Sequence, residues 1–532
     1  MRSVPVPSAA VSGPHEAHPL LSGRRGLGLA AVCTLLFLTF LDNTIVSVAL
    51  GDIQSRLSAG VQSLQWIVNG YALVFASMML FAGVLGDKVG QRKVMFTGAA
   101  IFCAGSVLCA LAPDATTLIS GRAVMGLGAA ASEPGTLAML RHLYPDRGQR
   151  ARATGVWAAV SGLALALGPV IGGVIVGLSD WRWIFWFNLF FGVLALAIGA
   201  AVLPEVAHTP SRRIDFVGAT LGALCLSLLV FGVIRGETDG FGTAYVVTLI
   251  VLSGVAAAAF VTWQWRARDP LVPPQFLRSA TFNVPNVVAF AAYFGTFAVF
   301  FFAALYMNIV LGYGGLRIAA QFVPMMLVMI GASLATGRWL AATGSRRPIV
   351  SGSFIFAIGL LLAARALGPH QTYLPVAGAL AVAGLGIGIT VVPTAFAVVT
   401  AVPEDRAGMA SSAVNTSREI GAVIGTAVLG AIVNASLVSN ATAQLDALGL
   451  GSLKGFVTSA ILNGGIDIGG SVSGSDPDTQ KLVQALYDAF HSGLEVALLL
   501  SAATVFVAGT LAALTLRDQP AHELGKARPD LS

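Results

Sequence analysis

The sequence predicts an all-α polytopic membrane protein, and three observations support this prediction. Of the 532 residues, 56% are hydrophobic and only 11% are charged, whereas a soluble domain carries about a quarter charged residues. Apolar stretches long enough to cross a bilayer recur along the whole chain. Two short segments also repeat at nearly the same spacing, on matching loops and spans.

Fourteen transmembrane helices are predicted, because one span needs about 20 predominantly apolar residues. An even number of spans places both termini on the same side of the membrane. Loops that stay in the cytoplasm are enriched in Lys and Arg, and only seven of the 31 such residues lie in loops on the side opposite the termini. Both termini are therefore expected in the cytoplasm. The spans are predicted at 26–50, 63–86, 93–112, 116–140, 152–177, 183–203, 214–234, 244–264, 286–311, 317–341, 349–368, 373–399, 411–437 and 493–516.

The hydrophilic segments complete the predicted organisation. The first 25 residues lack the apolar core and cleavage site of a signal peptide, so they are interpreted as a cytoplasmic tail. Residues 438–490 contain the Gly/Ser/Asp-rich segment NGGIDIGGSVSGSDPD and predict an extracytoplasmic loop, with at most a short helix near 478–490. The predicted domains are a tail (1–25), a six-helix bundle (26–204), two linking helices (205–270), a second six-helix bundle (271–516) and a tail (517–532).

An internal repeat explains the number of spans. The segment GVLGDKVGQRK (83–93) matches GRWLAATGSRR (337–347) at an offset of 254 residues, and GLGAAASEPGT (126–136) resembles GLGIGITVVPT (384–394). These pairs relate the second span to the tenth and the fourth to the twelfth. Two six-helix halves with an extra pair of helices between them produce this shift. Parallel repeats of this kind are a transporter architecture, with substrate sites at the interface of the halves.

Several motifs resemble those of the major facilitator superfamily. GVLGDKVGQRK, which contains Gly83, Asp87, Gly90, Arg92 and Lys93, resembles the loop signature that follows the second helix, and LISGRAVMGLGAA resembles the fourth-helix motif with its membrane arginine. LALGPVIGGVI (165–175) resembles the fifth-helix signature of antiporters, here Gly168, Pro169, Gly172 and Gly173. LDNTIVSVAL, WRWIFWFNLFFG and NTSREIGAVIGTAVLG are similar to motifs of the fourteen-helix drug:proton antiporter family.

The resemblance implies the major facilitator fold, with two six-helix bundles and two extra central helices. It also implies antiport of a drug against protons in the cell membrane. Separately, the strong preference for Arg over Lys is typical of a bacterial genome rich in G and C. The sequence departs from the family pattern at Met125, Gln91 and Gly51. Glu133 and Glu419 are not expected in every member, so the substrate range does not follow from the resemblance.

Five charged residues lie within predicted spans: Asp42, Arg122, Glu133, Arg418 and Glu419. A charge at the bilayer centre costs about 3 kcal/mol on insertion scales, so each side chain is expected to face a central cavity or a neighbouring helix. All seven histidines lie outside the spans or at their edges. A proton that moves through the membrane-embedded part must therefore be carried by a carboxylate.

Each charged residue has a functional and a structural interpretation. Asp42 is a candidate proton- or cation-binding carboxylate, or else a hydrogen-bond partner of nearby polar groups. Arg122 is a fixed positive charge that tunes proton release, or an arginine that binds main-chain carbonyls between the first and fourth helices. Glu133 precedes Pro134, which removes a backbone donor and favours a bend; its carboxyl group carries a proton, pairs with a cationic substrate, or makes one interhelical hydrogen bond.

Arg418 and Glu419 are adjacent and point about 100° apart on a helix, so they need different partners and either take part in transport or lock the packing of helices. The charges of the 83–93 loop are expected to clamp one helix end to another in one conformation, beyond the general preference for cytoplasmic bases. In the fifth helix, Gly168 and Gly172 permit close backbone packing, and with Pro169 they predict a bendable interface between the halves.

The sequence therefore predicts a proton-coupled antiporter that exports amphiphilic small molecules by alternating access. A dedicated exporter of one endogenous metabolite is the alternative, and a non-transporting sensor or a membrane enzyme is a remote one. No Walker-type loop, metal-ligand cluster or catalytic triad spacing occurs in the sequence. We accordingly expect no catalytic residue, metal or cofactor, no nucleic-acid partner, and a monomer that uses the proton gradient as its energy source.

Overall fold

The computed structural model describes residues 23–59, 61–205, 215–309, 313, 315–368, 372–447 and 477–517. Within these ranges the chain forms helices and no strands, which confirms the predicted all-α class. A π-helix (Ala298–Ala303) separates α10 from α11, and a 3₁₀-helix (Glu404–Arg406) precedes α15. The α-helices are α1 (Gly23–Leu57), α2 (Val61–Val89), α3 (Gln91–Ala110), α4 (Ala115–Leu143), α5 (Arg147–Leu178), α6 (Arg182–Val202), α7 (Phe216–Asp239), α8 (Ala244–Arg266), α9 (Pro274–Leu277), α10 (Ala280–Phe297), α11 (Ala304–Ile309), α12 (Gly315–Thr343), α13 (Arg346–Ala366), α14 (Tyr373–Thr400), α15 (Ala407–Ala447) and α16 (Pro477–Thr515).

The described helices are consistent with the fourteen predicted spans. Eleven of them are long and apolar enough to cross a membrane, and α5 adds a twelfth when its two parts, bent by 43°, are taken as one span. The two other predicted spans fall on α4, which carries three charged residues, and on α10–α11, which the π-helix interrupts. Charged residues and breaks in a helix shorten its uninterrupted apolar stretch, but they do not prevent the helix from forming.

The prediction of a loop over 438–490 is wrong at its beginning, whereas the short helix expected near 478–490 is present as the first part of a longer helix. Helix α15 continues to Ala447, and α16 already begins at Pro477 and runs unbroken into the last span. The reason is that NASLVSNATAQLDA contains good helix formers such as Ala, Leu and Gln, so the helix outlasts its apolar part. Residues 448–476 and the predicted terminal tails, apart from residues 23–25 and 517, lie outside the described ranges.

Two bundles and a hairpin make up the fold. Helices α1 to α6 pack around one another as the first half, and α10 with α12 to α16 forms the second half. The halves meet where α5 packs against α12 and α14, and where α15 packs against α2 and α4. Helices α7 and α8 pair with each other, and α7 lies along both α2 and α15, over one seam between the halves.

The packing of helices repeats between the halves, as the sequence repeat predicts. A Cβ atom on Gly105 of α3 would lie 2.7 Å from the backbone nitrogen of Met125 in α4. The equivalent Gly359 of α13, 254 residues later, approaches the backbone nitrogen of Ala383 in α14 as closely. Glycine is required at both positions because the paired helices touch through their backbones.

A second repeated contact anchors the start of α3 and of α13. Arg92 donates from Nη2 to the carbonyl of Ala200 at the end of α6 (2.7 Å), and Arg346 donates from Nη2 to that of Ala513 near the end of α16 (2.9 Å). Each arginine satisfies a carbonyl that the helix leaves free at its carboxyl end. The repeated arginines therefore join helices within their own halves.

Candidate functional site

Asp42 lies in the middle of the first half and is fully buried. Its Oδ2 accepts a hydrogen bond from Arg122 Nη1 in an ion pair between α1 and α4, and its Oδ1 accepts one from Asn188 Nδ2 of α6 at 2.8 Å. Asn188 is itself fully buried. Two hydrogen-bond donors, one from each of two other helices, thus replace the water molecules that the carboxylate loses on burial.

Arg122 joins this pair to α2. Its Nε donates to the carbonyl of Ile67 at 2.9 Å, and its guanidinium carbon lies 4.4 Å from the centre of the Tyr71 ring. Tyr71 in turn donates its hydroxyl to the carbonyl of Thr39 on α1 at 3.3 Å. Arg122 therefore contacts both a carboxylate and a main-chain carbonyl, but this carbonyl belongs to α2 and not to the first helix.

Glu133 lies between the halves and is 1% exposed. Its Oε2 has no hydrogen-bond partner among the described residues. Across the interface, Arg418 and Glu419 of α15 are close enough to interact with it electrostatically, although Glu133 forms no ion pair with Arg418 within 4 Å in the described part of the chain. The structure thus brings these three sequence-predicted residues into one neighbourhood.

Arg418 is held by aromatic faces and by its own half. Its guanidinium carbon lies 5.2 Å from the centre of the Trp157 ring of α5 and 5.4 Å from that of Tyr293 of α10. Its Nη1 donates to Asn415 Oδ1 at 3.1 Å and its Nη2 to the carbonyl of Val391 at 3.3 Å. The cation therefore rests on both halves at once.

Two neighbouring groups of charges result from these contacts. The first contains Asp42 and Arg122 within one half, and the second contains Glu133, Arg418 and Glu419 across the interface. The hydroxyl group of Tyr71 lies within electrostatic range of members of both groups. Four of the five charged side chains are at most 1% exposed and Glu419 is partly buried. Asn188, Tyr71, Trp157 and Tyr293 complete the groups.

Asp87 joins the two halves at the predicted cytoplasmic end. Its Oδ1 accepts from the backbone nitrogen of Gly408 and from Gln91 Nε2, and its Oδ2 accepts from the backbone nitrogen of Met409, all at 2.7 Å. The carboxylate thereby caps the first turn of α15, where free N–H groups and the helix dipole favour a negative charge. Gly83 lies against the carbonyl of Gly408, which lets α2 and α15 cross closely.

The other named members of the 83–93 loop, Gly90, Arg92 and Lys93, act within their own half. Arg92 binds the end of α6, and Lys93 is exposed. Gly90 has a φ of 117°, a backbone conformation that other residues rarely adopt, and it turns the chain from α2 into α3. Of this motif, therefore, Asp87 and Gly83 reach the second half.

A second contact between the halves was not foreseen from the sequence. Arg141 of α4 donates from Nη1 to the carbonyls of Val399 and Val402 at 2.9 and 3.0 Å, and its Nε lies 3.7 Å from Glu404 Oε1. Ser411 of α15 also donates its hydroxyl to the carbonyl of Pro134 at 2.7 Å. The number of Lys and Arg residues in a loop indicates its side of the membrane, but it cannot show which carbonyl Arg141 contacts.

The expectation that the fifth-helix glycines form the interface between the halves is wrong. A Cβ on Gly168 would collide with Thr44, and one on Gly172 would lie 2.8 Å from the carbonyl oxygen of Ile45, so both glycines pack against α1 of the same half. Gly173 faces open space apart from Val48 at 4.0 Å. The bend in α5 lies between its parts Arg147–Leu165 and Val170–Leu178, and the side chain of Pro169 is outside the described set.

A cleft between the halves lies beside the second charged group. It is bounded by α5, α10, the π-helix, α12 and α14. Its lining is mainly apolar and includes a few residues with hydroxyl groups, a combination typical of sites for small organic molecules. The lining residues include Ser161, Leu165, Tyr293, Thr296, Phe300 and Met329.

Comparisons with known proteins agree with this architecture. The sequence profile described as Major Facilitator Superfamily matches residues 32–426. Multidrug resistance protein Stp of Mycobacterium tuberculosis (strain CDC 1551 / Oshkosh) is 30% identical over 490 residues, covering 91% of this chain and 91% of that protein. Puromycin resistance protein pur8 of Streptomyces alboniger is 33% identical over 435 residues, covering 81% of this chain and 84% of that protein.

The solved structure of the human organic anion transporter MFSD10 (TETRAN) is similar in fold. It superposes with a TM-score of 0.63 over 92% of this chain and 100% of that chain, at 14% sequence identity. At this identity the similarity concerns the arrangement of the helices alone.

Proposed function

Because the chain belongs to the major facilitator superfamily, we propose that it exports amphiphilic small molecules in exchange for protons, by alternating access. The family assignment makes it a multi-pass membrane transporter, and relatives over most of its length are resistance proteins for several drugs or for puromycin. Drug efflux is the function that these observations support. Coupling to protons is the part that rests on the geometry of the site.

The buried pair of Asp42 and Arg122 is the observation that carries the proposed coupling. A buried carboxylate paired with an arginine can take up a proton when its partner moves away, and it releases the proton when the pair re-forms. Asn188 holds the second carboxylate oxygen at 2.8 Å, which fixes the orientation of the acid. Because the histidines lie outside the predicted spans or at their edges, we assign the proton to a carboxylate of the first half, Asp42 or Glu133.

The proposed cycle uses the contacts at the Asp87 end as its gate. With Asp87 bound to the start of α15, the halves are joined on the predicted cytoplasmic side, and release of this contact opens the interface there. Substrate then enters from the cytoplasm or the inner leaflet, and protons that arrive from outside reset the carrier. The proton gradient supplies the energy in this scheme, without a bound cofactor.

Purified protein in liposomes with an imposed pH gradient tests the coupling. We expect Asp42→Asn to lower gradient-driven efflux of a fluorescent drug at least tenfold, because the amide keeps the shape and accepts from Arg122 but cannot exchange a proton. Asp114→Asn is the matched control, since Asp114 caps α4 through the nitrogen of Thr117 and Asn caps helices equally well. Efflux of wild-type protein that persists after collapse of the gradient contradicts proton coupling.

Export of a single metabolite is a second candidate, because one relative over 81% of the chain is a puromycin resistance protein, named for one compound. The two candidates differ in breadth of substrate. A panel of unrelated dyes and antibiotics, tested in cells that express wild-type protein or Asp42→Asn, separates them. Reduced accumulation of several unrelated compounds supports multidrug export, whereas reduced accumulation of one compound supports the dedicated exporter.

A further inference from the structure

The second charged group and the residues that precede Arg418 on α15 contain several buried polar atoms without partners among the described residues. Glu133 Oε2, Arg418 Nε, Asn415 Nδ2 and Thr416 Oγ1 make no hydrogen bond with any described residue. Glu133, Arg418 and Asn415 are each 1% exposed. Buried polar atoms are normally paired, and each one left unpaired costs about 1–3 kcal/mol. Their concentration in one place indicates a site whose partner changes during the working cycle.

The surroundings of the Arg418 guanidinium are those of a binding site for an organic cation. A cation over the faces of Trp and Tyr, at 5.2 and 5.4 Å from the ring centres, is attracted by the negative charge of the ring faces. Two carboxyl groups, Glu133 and Glu419, lie within electrostatic reach. The same chemistry would recognise an ammonium or phosphonium group that carries aromatic rings.

This cage is divided between the halves of the protein. Trp157 and Glu133 belong to the first half, whereas Arg418 belongs to the second. Trp157 is fixed within its half, because its Nε1 donates to Thr136 Oγ1 at 3.0 Å and Thr136 donates to the carbonyl of Glu133 at 2.6 Å. Rocking of one half against the other is the usual motion of such transporters. It would carry Arg418 away and leave an indole face and a carboxylate without a cation.

We propose that Arg418 is an internal competitor of the substrate: its guanidinium occupies, in the joined state, the place that an aromatic organic cation takes on Trp157 and Glu133 when the halves part. This inference rests on the proposed export function and names its substrate class. When the halves rejoin at the Asp87 end, Arg418 returns to the cage and displaces the bound cation towards the opposite side. Displacement by Arg418 does not require Glu133 to change its own charge.

Binding of two probes of equal size and opposite charge tests the proposal. Tetraphenylphosphonium and tetraphenylborate are measured by equilibrium binding to purified protein, without any pH gradient. In the wild-type protein Arg418 occupies the cage most of the time, so only a fraction of the molecules can bind the probe and the apparent Kd is raised. Arg418→Gln removes this competitor and should tighten tetraphenylphosphonium binding about tenfold. Tetraphenylborate should not bind more tightly. An unchanged Kd, or tighter binding of both probes, overturns the proposal.

Two further variants keep the test decisive if Arg418→Gln does not fold. Trp157→Leu should weaken tetraphenylphosphonium binding about tenfold, whereas Trp157→Phe, which retains a ring face, should weaken it less than threefold. Equal losses in both variants contradict recognition by the ring. Arg152→Gln removes an exposed positive charge of α5 and is the control for net charge, with an unchanged Kd expected.

The result does not depend on proton coupling. If efflux proves insensitive to the pH gradient while Arg418→Gln still tightens the cationic probe alone, the coupling proposal fails and the displacement proposal stands. If efflux is driven by the gradient while Arg418→Gln leaves the Kd of both probes unchanged, the displacement proposal fails alone.

Discussion

Removal of the Asp87 carboxylate should open the interface between the halves. In the joined state, Asp87 accepts two backbone hydrogen bonds of 2.7 Å from Gly408 and Met409 at the start of α15. Hydrogen bonds to charged groups contribute about 1.5–3 kcal/mol each. Asp87→Ala should therefore destabilise the joined state by about 3 kcal/mol relative to the open state, which corresponds to roughly a hundredfold change in their ratio.

Distances between spin labels provide the assay. Lys93 and Arg347 are exposed residues at equivalent positions of the sequence repeat, one in each half, so labels on cysteines placed there report the separation at this end. Three of the four native cysteines are buried, and the partly exposed Cys225 is replaced by Ser to prevent background labelling. We expect the distance distribution of Asp87→Ala to shift towards longer values than that of the wild-type protein.

Asp114→Ala is the matched control for this measurement. It removes a carboxylate that caps the N-terminus of α4 through Thr117 at 2.8 Å, but within one half. Its loss should lower the melting temperature without changing the label distance. An Asp87→Ala distribution equal to that of wild type would refute the argument that this carboxylate holds the halves together.

Two predictions concern the packing of the first half. Gly168→Ala should lower thermal stability in detergent by about 1–3 kcal/mol, because the added methyl group overlaps α1, whereas Gly173→Ala, with its nearest contact at 4.0 Å, should change it little; equal effects would contradict the packing. Asn188→Ala should cost about 1–3 kcal/mol by leaving a buried carboxylate oxygen without its donor. Combined with Asp42→Asn, its effect should be less than additive in thermal unfolding, and strict additivity would argue against the hydrogen bond.

The positions of charged residues were predictable because the bilayer makes them expensive. Asp42, Arg122, Glu133 and Arg418 were expected to face away from lipid, and all four are buried in protein. Their partners were not predictable, because a single sequence does not fix the rotation of one helix against another. Nothing in the segment around Asn188 shows which neighbouring helix its side chain contacts.

The ends of the spans and the packing of the glycines also show which features could be predicted from the sequence and which could not. Counting apolar residues predicted fourteen spans, with which the described helices are consistent. It placed the end of α15 about ten residues too early, since a helix does not end where the bilayer does. Glycines four residues apart predicted close packing of α5 correctly. They could not indicate that the partner of Gly168 is α1, because every neighbouring helix offers a backbone to pack against.

One helix connects the gate to the proposed binding site. The first turn of α15 is held by Asp87, and Arg418 lies nine residues after Met409, about 14 Å further along the same helix. Since α15 is continuous from Ala407 to Ala447, its start cannot leave Asp87 without moving the arginine. Release of the gate and withdrawal of Arg418 from Trp157 are therefore one displacement. Movement of this rigid helix can therefore open the interface at the Asp87 end and, in the same step, withdraw Arg418 from the cage so that a substrate cation can bind there.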